Sequence, residues 1–482
     1  MSVVFAGQFA HAAPLSCCYL AVYSEGQSGF FMMSASDRLV LIHKRFAQVI
    51  FVFIFVVYAF VVVIAQNPPA FVDYPDWVYQ GVLFHGVLTR SPIFGYAMKP
   101  YPVPNTLTTI GIGALDLIVP WQWAGKLWIC IYFLLAIVVT FRLARVLNIR
   151  SRALWYALPN MVFLNLNFWY GHINFEFGLC VLLFFASILF ENRFYKTGYA
   201  WVLVLLFFIH MEACACGILL FLCFCLSRRR FKLILQCLPV CSLVAWYTIA
   251  RYSHGNIDGV IVPTSQSHYA SMKFIVFKIQ TFFKTMGYLN VTAPNGFSRT
   301  EAIFGRNATL LLVGLSFSIG SVLLISFLRQ ILKERQIYSQ VRFSWIFVVA
   351  LLLIAMMLPQ TLLGTADPGS RLVLVSLAMM LFLISQGNSR AMWFIATGSL
   401  ILCVTNFCQF SIIEANPRII AAKQDHLPFS MDKYAHIDPE TRLCYYQSLS
   451  VGKMDLPIFS TALFYETVKH PQSFESCGKT TQ

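Results

Sequence analysis

A series of uncharged apolar runs, separated by short clusters of arginine and lysine, limits this chain more than any other feature. Ala47 to Ala65 is the first such run, about one membrane thickness of helix. Lipid offers backbone N–H and C=O groups no partner, so a single run of this kind must be helical. Repeated along 482 residues, the pattern predicts an all-α, polytopic transmembrane helical bundle. The residue balance agrees, with 58% hydrophobic and 11% charged residues, where soluble domains carry roughly a quarter charged residues. The net charge of +15 comes from 35 Lys and Arg against 20 Asp and Glu. It is distributed as positive-inside clusters between spans. It forms no continuous basic stripe, which excludes nucleic acid as a partner.

Residues 1–37 read as an N-terminal tail and 38–410 as the transmembrane domain. Arg38, Lys44 and Arg45 precede the first run. They place the N-terminus in the cytoplasm and the first loop, 67–120, outside. Alternating basic flanks then give about eleven crossings, a second outer loop at 251–308, and a small outer C-terminal appendage, 411–482, of soluble composition. In that appendage Cys444 and Cys477 pair if the compartment is oxidising. Two pairs of short apolar segments read as out and back, and those of the second pair are too short to cross comfortably. Ala153–Tyr170 and Phe175–Phe190 flank Gly171-His172, and Trp201–Ile209 and Ala213–Leu226 flank His210-Met211-Glu212. Breaks at membrane depth need protein or water around their freed polar groups, which predicts an internal cavity. In the second outer loop, Met272–Tyr288 interleaves Lys273, Lys278 and Lys284 with phenylalanines. It reads either as a helix in the headgroup plane or as one packing its Phe side on the protein.

Chemistry-bearing residues concentrate on the predicted outer side. The loop from Phe71 to Asn105 holds Asp73 and Asp76, three apart and so on one face of a helical turn. They are either catalytic carboxylates or caps of an interfacial helix starting near Trp77. His172 and Glu176 are four apart, and His210 and Glu212 flank the second break. Ionisable groups at such depth are costly, which makes them candidates for binding sugar or phosphate, or else polar residues at outer helix ends. Nothing in the spacing fixes a His/Glu metal geometry. Arg371 opens a helix just after Asp367 and suits bidentate phosphate binding, with Lys99 the second choice. The alternatives for Arg371 are a salt bridge to Asp367 or snorkelling to headgroups. Tyr74, Trp77 and Tyr101 suit stacking on sugar rings or interfacial anchoring.

A cytoplasm-first helix followed by Asp73-Tyr-Pro-Asp76-Trp-Val-Tyr79-Gln-Gly81 and Lys99-Pro-Tyr101-Pro102-Val-Pro104-Asn105 resembles the GT-C glycosyltransferases. The nearer likeness is to bacterial polyprenol-phosphate mannosyltransferase-like proteins. Gly171-His-Ile-Asn174-Phe-Glu-Phe-Gly178 resembles a glycine–asparagine turn of related membrane proteins and adds Asn174 to the binding residues. One common variant has His and Arg where this chain has Trp77 and Gln80, which leaves the acceptor class open. The resemblance implies an integral membrane enzyme, of the bacterial inner membrane, with an extracytoplasmic active site. It would move a sugar from a polyprenyl-phosphate donor to a glycan or lipid acceptor. Asp73 or Asp76 would be the general base, and the other would orient it, bind a hydroxyl or hold a divalent cation (Mg or Mn). Two rivals from other classes are a lipid or glycan transporter (flippase) and a non-catalytic envelope scaffold. No internal repeat of the transporter kind is visible.

Overall fold

The helix α1 (Ala35–Ile64) shows why this chain needs lipid as its solvent. Ala47, Phe51, Phe55, Tyr58 and Val62 recur at helical spacing and are buried, while Phe46, Val49, Phe53, Val56 and Phe60 on the other face are equally apolar and exposed. A helix apolar all round with one side uncovered belongs against acyl chains. The computed structural model describes residues 35–64, 74–91, 96–169, 171–191, 198–253, 276, 278–279, 304–333, 341–359, 361–362, 365–366, 368–386, 390–415 and 463–466. The chain divides into two units, Met1–His43 and Lys44–Gln482, and only the opening turns of α1 are described in the first.

Among its described residues the second unit is mostly helical. After α1 come α2 (Tyr74–Leu88), α3 (Thr106–Leu115), α4 (Trp121–Val146), α5 (Ala153–Leu158), α6 (Leu166–Trp169) and α7 (Ile173–Glu191). They are followed by α8 (Gly198–Ile209), α9 (Met211–Ser227), α10 (Leu238–Ser253), α11 (Arg306–Lys333), α12 (Arg342–Met357), α13 (Pro368–Ile384) and α14 (Arg390–Ala415). Among the described residues, six segments are long and apolar enough to cross a membrane: Ile42–Ile64, Trp121–Val146, Ile173–Glu191, Phe231–Arg251, Arg306–Leu332 and Arg390–Cys408. Six such segments are fewer than the eleven crossings read from the sequence. Five further apolar helices, α3, α8, α9, α12 and α13, are shorter. The 12 residues of α8 span only about 18 Å at helical rise. Of these short helices, α13 packs wholly inside, every residue of it buried, whereas α12 leaves Leu353 and Met357 exposed.

The segment that the sequence presents as one apolar stretch, Ala153–Tyr170, is broken at Pro159. Proline lacks an N–H and collides with the carbonyl of the preceding turn, so the helix widens into a π-turn over Pro159–Phe163 before α6. Side chains cover the carbonyls around the break. Tyr132 Oη donates to Phe163 O at 2.7 Å, Asn165 Nδ2 to Val162 O at 2.7 Å, and Trp169 Nε1 to Leu164 O at 2.9 Å. Ser399 Oγ on α14 donates to Ala157 O at 2.8 Å. A break at this depth survives because each bare carbonyl has found a donor.

Contacts between helix ends sort the chain into two sides. Lys44 Nζ donates to Ile149 O, Ser151 N to Ser385 O and Gln330 Nε2 to Leu383 O. The start of α5 and the ends of α4, α11 and α13 therefore share one side. Arg142 at this end pairs with Glu191 at 3.1 Å. Asn105, His172, His210 and Arg371 are at the opposite helix ends. On their side β1 (Tyr96–Met98) pairs antiparallel with β4 (Phe464–Glu466), so a piece of the C-terminal appendage is fastened to the first loop. A second small ladder joins β2 (Thr361–Leu362) to β3 (Thr365–Ala366) between α12 and α13. Lys278, expected at headgroups, is instead buried and donates to Ala355 O at 2.9 Å near the end of α12. A cation at a helix C-terminus meets the carbonyls that have no helical donor.

The first loop contains the helices α2 and α3. α2 and α3 cross at Gly81 and Gly113, where a methyl on Gly113 would stand 2.7 Å from Gly81 O and 2.9 Å from Phe84 Cδ1. Backbone cannot move aside as a side-chain tip can. Gly113→Ala is expected to cost about 2 kcal/mol and to separate α2 from α3. An unchanged thermal transition in lipid nanodiscs would show that this crossing is loose.

Candidate functional site

The helix ends on one side bring polar side chains from distant parts of the chain to a common centre, Arg371. This residue lies in the first turn of α13, which Pro368 starts because its fixed φ suits a helix N-terminus. Arg371 Nη1 donates to Glu212 Oε2 at 3.0 Å, and Nη2 lies 3.5 Å from His172 Nδ1. Both members of the ion pair are largely covered, with side-chain exposures of 11% for Arg371 and 18% for Glu212. The guanidinium carbon stands 5.8 Å from the Phe175 ring centroid, a cation–π contact that covers its flat face.

His172 precedes α7 directly, at a turn made by Gly171 in the left-handed region (φ 82). Its Nδ1 lies 3.1 Å from Asn167 Oδ1, the shorter of its two polar contacts. An amide oxygen only accepts, so Nδ1 carries the proton and the longer Arg371 approach is packing. The His210 ring also meets Phe175, edge-on at 5.3 Å. Asn105, itself left-handed at φ 66, then ties three elements together. Its carbonyl accepts from Asn174 Nδ2 at 3.1 Å and its side-chain Oδ1 accepts from Met211 N at 3.2 Å. Asparagine tolerates that backbone region better than most residues and brings a side-chain acceptor. Thus α3, α7 and α9 start from one latch.

One turn further along α7, Glu176 faces inward and is fully buried. Oε1 accepts from Asn165 Nδ2 at 2.9 Å, and Oε2 lies 2.9 Å from Tyr132 Oη. Tyr132 has a single proton and also meets Phe163 O. Both contacts close together when the carboxyl is in its acid form and donates to Tyr132, which donates onward to the π-turn carbonyl.

The expected site residues divide three ways. His172, Glu212 and Arg371 touch; Asn174 and His210 join them through Asn105 and Phe175. Arg371 is paired with Glu212, whereas Asp367, the partner proposed from sequence, lies outside the described residues. Glu176 belongs to the neighbouring Tyr132–Asn165 network. Lys99 and Tyr101 are placed elsewhere: Lys99 is buried beside the β ladder, with its backbone N–H on Leu463 O at 2.9 Å. Tyr101 packs on Tyr247 of α10 at 6.3 Å. Asp73 lies outside the described residues, as do Cys444 and Cys477. Asp76 is in the first turn of α2, which starts at Tyr74, earlier than the expected start near Trp77. His85 Nδ1 stands 2.7 Å from Asp116 Oδ2, joining α2 to the end of α3. Burial pushes the Asp116 carboxyl above its ordinary range, and His85 draws it partway back.

Among the described residues no group of three or more His, Cys, Asp or Glu is placed to hold a metal ion. The sequence reading passed over Asn105, Asn165, Asn167 and Phe175. The signal for the asparagines was present: Asn160, Asn165 and Asn167 interrupt an apolar run, and buried amides demand partners. Compared with protein-family models, with curated proteins and with solved structures, the chain matches none.

Proposed function

We propose that this membrane protein is a glycosyltransferase of the GT-C kind, moving a sugar from a polyprenyl-phosphate donor to an extracytoplasmic glycan or lipid acceptor. The observation that supports this reading best is the Arg371–Glu212–His172 group. It gathers three separate helix ends on the side of the bundle opposite the Lys44 and Arg142 end. By the positive-inside rule that side is the extracytoplasmic one. It is also the side of α2, which carries Asp76.

In this reading a carboxylate of the first loop, Asp73 or Asp76, takes the proton from an acceptor hydroxyl. The hydroxyl oxygen bonds to the anomeric carbon, and the carbon–oxygen bond to phosphate breaks with its electron pair going to the phosphate. Arg371 stabilises that developing charge, its planar fork suiting two phosphate oxygens. Glu212 holds the guanidinium in place before the donor arrives.

The test is transfer from radiolabelled polyprenyl-phosphate sugars in reconstituted membranes. Asp73→Asn combined with Asp76→Asn is expected to lower the rate by about 10²–10⁴-fold, the usual worth of a positioned base. Full activity in the double variant removes the mechanism. A flippase would instead move the labelled lipid between leaflets without forming a new glycosidic bond. A scaffold would do neither.

A further inference from the structure

The polar groups beside Arg371 leave part of their hydrogen-bonding capacity unused. Asn167 Nδ2, Asn174 Oδ1 and His210 Nδ1 are all buried without a hydrogen-bond partner. Their residues are only 3%, 2% and 8% exposed. A bare buried polar atom is costly, so three in one neighbourhood call for a cause. Neighbours they are. Asn167 meets His172, which adjoins Arg371. His210 stands against the same Phe175 ring that Arg371 covers. Asn174 precedes Phe175 and shares the Asn105 latch with Met211, next to His210.

Reassigning the amides does not remove the deficit. Turning Asn167 exchanges a bare donor for a bare acceptor. Asn174 cannot be turned, because Asn105 O needs an N–H. A bare anion does not fit the set either, since Asn174 Oδ1 is an acceptor and repels phosphate oxygens. A group that donates and accepts at several adjacent points fits, and a polyhydroxyl ring does both. Its own hydroxyls reach a donor, an acceptor and an imidazole nitrogen together.

We propose that Asn167, Asn174 and His210 form a neutral subsite for the hydroxyls of a sugar whose phosphate is held at Arg371. This rests on the lipid-phosphate reading above and adds which side chains tell a sugar-bearing lipid from a bare one. The subsite is made by α6, the first residues of α7 and the α8–α9 junction, none of which carries Arg371.

The experiment measures binding of bare polyprenyl phosphate and of its mannosyl, glucosyl, galactosyl and arabinosyl esters to the full chain in nanodiscs. At least one ester is expected to bind about tenfold tighter than the bare phosphate, the worth of one or two neutral hydrogen bonds. Asn174→Ala and His210→Phe are each expected to erase most of that preference while leaving the bare phosphate's affinity unchanged. Variants are first matched to the thermal transition of the parent. If Asn174→Ala disturbs the Asn105 latch, His210→Phe and Asn167→Ala carry the test. Absence of any ester preference, or equal weakening of both lipid classes in folded variants, overturns the subsite alone. If neither lipid class binds the parent protein, the lipid-phosphate reading falls and the subsite falls with it.

Discussion

Replacing Arg371 with methionine is expected to destabilise the protein by about 3 kcal/mol and to abolish sugar transfer. Methionine keeps much of the apolar stem's packing on Phe175, so the loss isolates the charge. It takes the guanidinium from the Glu212 carboxylate, which the structure leaves only 18% exposed. Removing one partner of a buried ion pair costs about 3–5 kcal/mol when the site is fully dry. The residual exposure of Glu212 puts the expectation at the lower end. The companion variant separates structure from chemistry. Arg371→Met with Glu212→Gln removes both charges, and most of the lost stability should return, because the pair is then removed as a whole. Transfer should not return, since no other side chain in the group offers a planar cationic fork to a phosphate. Thermal unfolding in nanodiscs and the transfer assay read the two effects. A single variant as stable as the parent would mean that Glu212 is hydrated. A double variant that transfers sugar would remove Arg371 from the phosphate.

The second large effect concerns Glu176. Glu176→Ala is expected to cost about 3 kcal/mol, from a cavity in a fully buried position and from two lost hydrogen bonds, to Asn165 and Tyr132. Glu176→Gln should cost only about 1 kcal/mol. Its amide oxygen keeps the Asn165 bond, and its N–H replaces the acid proton toward Tyr132. Were the carboxyl ionised, Tyr132 would have to serve it and Phe163 O with one proton, and glutamine would be the poorer substitute. Comparing the thermal transitions of the two variants decides this. Equal losses would rule out the acid-form arrangement. The consequence reaches beyond stability, because the same network seals the π-turn at Pro159, on which the position of His172 depends through Asn165 and Asn167.

The helical, lipid-embedded character was legible because it follows from long apolar runs, which tolerate only one backbone solution. The crossing number was not. Length and polarity alone do not separate a helix that meets lipid from one that meets other helices. α13 reads as a span, yet every residue in it is buried by protein. Arg371, His172 and Glu212 were nameable one at a time, as charged groups in apolar surroundings. That Glu212 pairs with Arg371 is a tertiary fact, set by how α9 and α13 pack. The asparagines were missed for a different reason. An amide carries no charge, so its cost shows only when one asks what each buried N–H and C=O is bonded to. Lys278 makes the same point in reverse. Its spacing among phenylalanines suited a headgroup, and the unsatisfied carbonyl of Ala355 offered it a better site.

The β1–β4 ladder joins two stretches that leave the ribosome far apart in time. Phe464 is made about 370 residues after Met98, on the order of a minute of synthesis. Until then the edge of β1 waits without its partner on the side where the polar helix ends gather. Assembly of that face therefore waits for β4, and any chain that terminates before Phe464 carries it unfinished.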